Sequence, residues 1–162
     1  MPIRSGMLLA LLALPACAAS TADNPAEANK TLVRQLIDEA DSGGGSLAYI
    51  DKYLAPEYRL HLNGTTMDLA GYRALAGSVF AAFSNVRHEI QQILAEGDLV
   101  AVVISLHLTH TGDYEGIKPT GRTVTLPEII VARIRDGRIV EEWAAVDLGS
   151  LTTQLTAATP AR

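Results

Sequence analysis

Glu128 is the residue of this chain best placed to do chemistry. In the stretch Thr123–Arg135 it alternates with Val124, Leu126, Ile130, Ala132 and Ile134, so on an extended strand its carboxylate stands among apolar side chains. Desolvation raises the pKa of a carboxyl in such a place, and a general acid or base working near neutral pH needs that shift. Glu142 falls on the same side of the next stretch as Val140, Ala144, Val146 and Leu148, opposite Glu141 and Trp143. If it turns inward near Glu128, mutual repulsion raises one of the two carboxyls further. Asp147 closes that stretch and either orients a donor or caps the following turn. His107 and His110, three apart on a strand, face opposite ways and cannot share an ion without a bulge, so no metal site is expected. His61 stands beside Asn63 on a shorter run and is a further candidate proton carrier. The competing reading of Glu128 is a solvated place at the sheet's end, which Pro127 beside it would favour.

These side chains need a scaffold of strands. Val86–Ala95, Leu99–Thr111, Thr123–Arg135 and Arg138–Asp147 alternate in hydrophobicity, with Glu96-Gly97-Asp98 and Asp136-Gly137 as turns and Gly112–Gly121 as one long loop. They predict a four-stranded antiparallel meander. Upstream, Asn24, Pro25 and Glu27 form a capping box for a helix with a stripe of Leu32, Val33, Leu36, Ile37 and Ala40, ended by Gly43-Gly44-Gly45. Ser46 opens a shorter helix, with Leu47, Ile50, Tyr53 and Leu54 buried, which Pro56 stops. Glu57–Asn63 reads as a short strand, with Tyr58, Leu60 and Leu62 on one side and His61 and Asn63 on the other. Asp68 caps a third helix running to about Phe83, and Ser150–Arg162 holds one helical turn and a tail. Three helices followed by strands, without alternation, predict an α+β domain with its helices on one face of the sheet.

The N-terminus is set apart from this domain. Arg4, the apolar run Met7–Leu14 and the small residues after it have the layout of a secretory signal peptide, too short to span a bilayer. Leu14-Pro15-Ala16-Cys17 resembles a bacterial lipobox, so residues 1–17 are expected to be a leader and Cys17 a lipidation site that would tether the chain to a membrane. The competing reading is soluble export after cleavage among Ala16, Cys17 and Ala18. Residues 18–24 are a tether, 25–156 the domain and 157–162 a tail. Cys17 is the only cysteine, so the domain is held by packing. A net charge of −5 with no basic run sets nucleic acid aside as a partner. No hydrolase elbow, phosphate loop or dinucleotide fingerprint appears, and no cofactor is expected.

From Thr111 to Leu155 the chain resembles the SnoaL-like family of polyketide and ester cyclases. The resemblance rests on Gly112, Gly116-Ile117-Lys118-Pro119-Thr120-Gly121-Arg122, Arg133-Ile134-Arg135-Asp136-Gly137-Arg138-Ile139, Glu141-Glu142-Trp143, Asp147 and Gln154-Leu155, with Tyr58 and His61 earlier. It implies a cone-shaped, nuclear transport factor 2-like fold whose N-terminal helices pack on a curved, mainly antiparallel sheet around a pocket. It also implies that the acid/base aspartate and the histidine of the aldol-forming cyclases are replaced here, by Ala144 and Ile130. The expected site is therefore Glu128, Asp147, His110 and His61, lined by Tyr58, Asn63, His107, Ile130, Glu142, Trp143 and Ala144 and closed by the Gly112–Gly121 loop. Two functions fit: a pocket that binds a small apolar or carbonyl-containing molecule without known cyclase chemistry, or a cofactor-free cyclase, isomerase or hydrolase using Glu128. The apolar row Val100, Val102, Ile104, Leu106 and Leu108, with Ala101 and Val103 opposite, leaves both sheet faces needing cover. A homodimer is expected, as in the family.

Overall fold

The computed structural model describes residues 24–157. The leader, Cys17 and most of the tether and tail lie outside the described residues. Ten elements follow one another: α1 (Pro25–Ser42), α2 (Ala48–Tyr53), β1 (Leu54–Leu62), β2 (Thr65–Asp68), α3 (Leu69–Ala82), β3 (Phe83–Glu96), β4 (Leu99–His110), β5 (Thr123–Arg135), β6 (Arg138–Val146) and α4 (Leu148–Thr156). The strands form one six-stranded sheet in the order β2-β1-β6-β5-β4-β3, antiparallel except for the parallel pair β1–β6. The sheet is curved and unclosed, with the helices on its concave side, the α+β arrangement that the element order predicts and the cone that the family resemblance implies.

Local chemistry explains most boundaries. Asn24 caps α1 by accepting from the Ala26 N–H at 3.1 Å, while Glu27 turns to Lys30 at 2.7 Å instead of completing the capping box. Asp68 caps α3 through the Gly71 N–H at 2.9 Å. Asp136 and Gly137 both take positive φ, 51° and 73°, as a two-residue hairpin turn requires.

Four expectations are corrected. Leu47, not Ser46, is the cap residue of α2; the Ser46 hydroxyl meets only the Ala48 N–H, at 3.4 Å. That helix runs directly into β1, and Pro56 lies inside the strand, where a register shift between Leu54 and Arg59 accommodates its missing N–H. Asn63-Gly64 does not simply end a strand: with φ of 48° and 85° it turns β1 into β2, an exposed edge strand too short to show alternation. The segment after Asp147 is a nine-residue helix anchored by buried Leu151 and Leu155.

Two apolar clusters fill the concave side. One lies under α1 and α2 and includes Ile37, Ile50, Tyr58, Val100, Val102, Ile104, Ala132 and Ile139; the other lies under α4 and includes Phe83, Leu108, Val124, Leu126, Leu151 and Leu155. The row of alternate β4 residues is thus turned inward onto the helices. Leu106 packs against both clusters and stays partly accessible.

Candidate functional site

Strand pairing sets which side chains share the concave wall. Glu128 pairs with Ile104 on β4 and Val146 on β6, Ile130 with Val102 and Ala144, and Ala132 with Glu142, so the same parity faces inward on all three strands. On β1, Leu60 lies beside Glu142. Ile130 and Ala144 of the sheet and Tyr72, Leu75 and Phe80 of α3 pack on the first cluster and Leu106 on both, yet all keep some accessible surface, as do the inward Glu128 and Glu142 beside them. Glu128 and Glu142 thus stand in the least sealed part of the concave wall, at mid-sheet. Open clefts of about 540 Å³ beside Asp38, Asp41, Val86 and Arg87, where α1 meets the start of β3, and of about 590 Å³ beside Gln35, Lys52 and Tyr53 are not lined by these carboxyls.

The two inward carboxyls differ in their surroundings. The Tyr58 hydroxyl donates a very short hydrogen bond to Glu142 Oε2. Burial pushes Glu142 up to about 7; the Tyr58 bond opposes that rise and the Glu128 charge adds to it. Glu128 is also raised by burial, which the positive charge of His88 opposes when that ring is protonated. Its Oε2 is sealed without a hydrogen-bond partner, and no described residue bonds its other oxygen. Tyr72 lies against Tyr58, ring centroids 5.5 Å apart, and shares a 3.2 Å hydrogen bond with the Tyr49 hydroxyl. Burial raises Tyr58 and Tyr72 far above the usual phenol range, so both stay protonated and able to donate.

Of the expected residues, the structure brings together Tyr58, Glu128, Ile130, Glu142 and Ala144. It does not bring His61, His107 or Trp143 to them. His61 and Trp143 have the outward parity of β1 and β6; their rings stack 5.5 Å apart on the convex face, with His61 held by Thr66 at 2.8 Å and Glu141 at 3.0 Å. Glu141 also takes a 2.6 Å ion pair from Arg133. His107 is likewise outward, between Thr125 at 3.0 Å and Glu89 at 3.2 Å. Asn63 staples the β1–β2 turn to the end of β6 through both backbone groups of Val146. Asp147 is the cap of α4, accepting from the Ser150 N–H at 2.9 Å.

His110 faces inward but is fully buried, its Nδ1 accepting the Thr120 N–H at 3.2 Å; it fastens the 112–121 loop to the end of β4. That loop packs through Tyr114 and Ile117 on the α4-side cluster. Its first residue passes so close to α3 that a Cβ on Gly112 would stand 2.1 Å from the Ala81 carbonyl oxygen.

One inward residue escaped the sequence reading. His88 on β3 lies opposite Leu106, and its backbone N–H and Nδ1 both meet the Asp41 carboxylate, at 2.8 and 2.6 Å. The signal was available: His88 sits between Val86 and Ile90 at the inward parity of its strand.

The SnoaL-like polyketide cyclase family model matches residues 31–155. The chain belongs to that family. Among solved structures, IdmH of Streptomyces antibioticus is 29% identical, with a TM-score of 0.70 over 78% of this chain and 97% of its own. A SnoaL-like protein of Jannaschia sp. CCS1 is 22% identical, with a TM-score of 0.73 over 84% of this chain and 97% of its own. A SnoaL-like polyketide cyclase of Agrobacterium tumefaciens is 17% identical, with a TM-score of 0.63 over 78% and 97%. The latter two likenesses concern the fold alone. No curated protein matches the chain in sequence.

Proposed function

We propose that Glu128, Glu142, Ile130, Ala144 and Tyr72 border a recess of the concave wall that binds a small carbonyl compound and catalyses cofactor-free proton transfer on it. The observation that carries this reading is the pair of inward carboxyls with unlike surroundings. Glu142, pushed up to about 7 and bonded by Tyr58, holds a proton near neutrality; Glu128, with no hydrogen-bonding neighbour, is the carboxylate free to take one. Environments that separate two carboxyls in this way divide acid from base. Glu128 then removes a proton from the carbon beside the carbonyl, the C–H electron pair moves into a new C=C bond, and the carbonyl oxygen gains a proton or hydrogen bond from Glu142. The enol formed is the common intermediate of isomerisation and of ring closure onto a second carbonyl. Ala144 and Ile130, which stand where the aldol-forming relatives are expected to carry their own pair, shape the recess and take no part.

The test is hydrogen exchange. Incubating the protein in deuterated water with a panel of 1,3-dicarbonyl compounds and following the α-proton by NMR should reveal accelerated exchange. Glu128→Gln, which keeps the shape, should slow it by roughly a hundredfold or more while affinity holds. Binding without any exchange would leave the second reading, a binding protein of the same fold. We further propose that the chain is exported and tethered through Cys17, a reading supported by the apolar run Met7–Leu14 and the small residues that follow.

A further inference from the structure

The Asp41–His88 pair has the geometry of an oriented base. Asp41 lies four residues beyond Ile37 on the inward stripe of α1, and it spends both carboxylate oxygens on one residue, Oδ2 on the His88 N–H and Oδ1 on Nδ1. A carboxylate at 2.6 Å from Nδ1 fixes the proton there, so the lone pair of the neutral ring is at Nε2. No described residue bonds Nε2, and 22% of the His88 side chain remains accessible. Val86 and Ile90 flank it on the same face of β3, and Leu106, which borders the recess, is its cross-strand neighbour. A histidine serving only to tie α1 to β3 would need just the Nδ1 contact; here the ring, at the inward parity of β3, also keeps an acceptor that no described residue bonds.

Register places this acceptor relative to the carboxyls. His88 aligns with Leu106 and Leu126, one inward row from the row Ile90, Ile104 and Glu128. Two strand spacings and one two-residue step separate their backbones by roughly 12 Å, and inward-pointing side chains on a concave sheet shorten the gap. An elongated ligand can span it. We propose that His88, oriented by Asp41, is a second proton-accepting group of the recess, which takes a hydrogen bond from a hydroxyl on a ligand whose carbonyl lies at Glu128 and Glu142. In this assignment His88 touches the ligand and Asp41 is a positioning residue. The assignment rests on the reading of the recess as a ligand site.

A matched pair of aryl ketones, with and without a hydroxyl remote from the carbonyl, tests it on the full chain by NMR. The hydroxylated ketone should shift the His88 imidazole signals and bind about fivefold tighter than its deoxy partner, the worth of one good hydrogen bond. His88→Phe should abolish that preference while the deoxy ketone still binds, and His88→Gln, which restores an acceptor, should recover part of it. Asp41→Asn should redistribute the ring proton between Nδ1 and Nε2 and weaken the preference, which a merely structural tie would not do. A preference unchanged in His88→Phe, or an imidazole that does not respond to the hydroxylated ketone, overturns the assignment while leaving the carboxyl chemistry intact. Conversely, an imidazole response together with ketone exchange that is indifferent to Glu128→Gln would uphold His88 and defeat the carboxyl reading. If neither ketone binds, both fall.

Discussion

At the scale of single residues, the burial of Glu142 costs stability in a way that pH can read. A carboxyl raised from its ordinary value to about 7 binds more protons in the folded state than in the unfolded one between about pH 4.5 and 7, so stability falls as pH rises through that window. The full difference is on the order of 3 kcal/mol. Glu128, raised by the same cause, adds in the same direction, whereas Glu39 and Glu89 are lowered on the surface and act below the window. Urea midpoints should therefore be higher at pH 5 than at pH 8, and Glu142→Gln should flatten most of the difference; a variant with the wild-type slope would show that Glu142 is solvated. The inward carboxyls were legible in the sequence because strand parity is strict: Glu128 and Glu142 alternate with apolar residues. The family resemblance places His61 and Trp143 in the pocket against the parity of their own strands, and in the structure parity prevails. The Asp41–His88 contact was not legible, since it joins a helix and a strand 47 residues apart, and sequence alone does not set how α1 seats on the sheet.

At the scale of elements, turn chemistry carried most of the information. Asp136-Gly137 was readable as a hairpin from two residues, and Asn63-Gly64 held the same signal, but β2 beyond it is too short and exposed for its strand character to show. The loop after β4 depends on something no propensity scale reports, the passage of Gly112 against the end of α3. Its N–H bonds the Ala82 carbonyl at 2.8 Å, and a methyl group there would press into the Ala81 carbonyl. Gly112→Ala should cost about 1–3 kcal/mol, as overpacking does, because backbone and not a flexible side chain must give way. Lowered urea midpoints together with faster proteolysis within residues 112–121 would be the signature; an unaltered midpoint would mean that the loop shifts freely.

At the scale of the whole molecule, the convex face of the sheet carries what the helices do not cover. Leu94, Ala101, Val131 and Trp143 form one outward cross-strand row, and Val103, Ile129 and Ala145 the next, with Leu94 66% and Ile129 53% exposed. We expect these rows to pair with a second copy, a contact in which each subunit supplies the same patch. Sedimentation should give a dimer at micromolar concentration and a monomer for Ile129→Glu; a wild-type monomer would reject the expectation. The one parallel pair has a different consequence, for the order in which the chain folds. β1 hydrogen-bonds only β2 and β6, and Leu60 meets Glu142 across more than half of the described chain. Closing so long a loop is slow, because its entropy is lost before the contact repays it. A growing chain that ends before residue 138 has no partner for the inner edge of β1, and Tyr58 has no carboxyl to bond. The β1 edge and the Tyr58–Glu142 contact therefore wait on β6, and a chain without β6 has no preassembled pair of carboxyls.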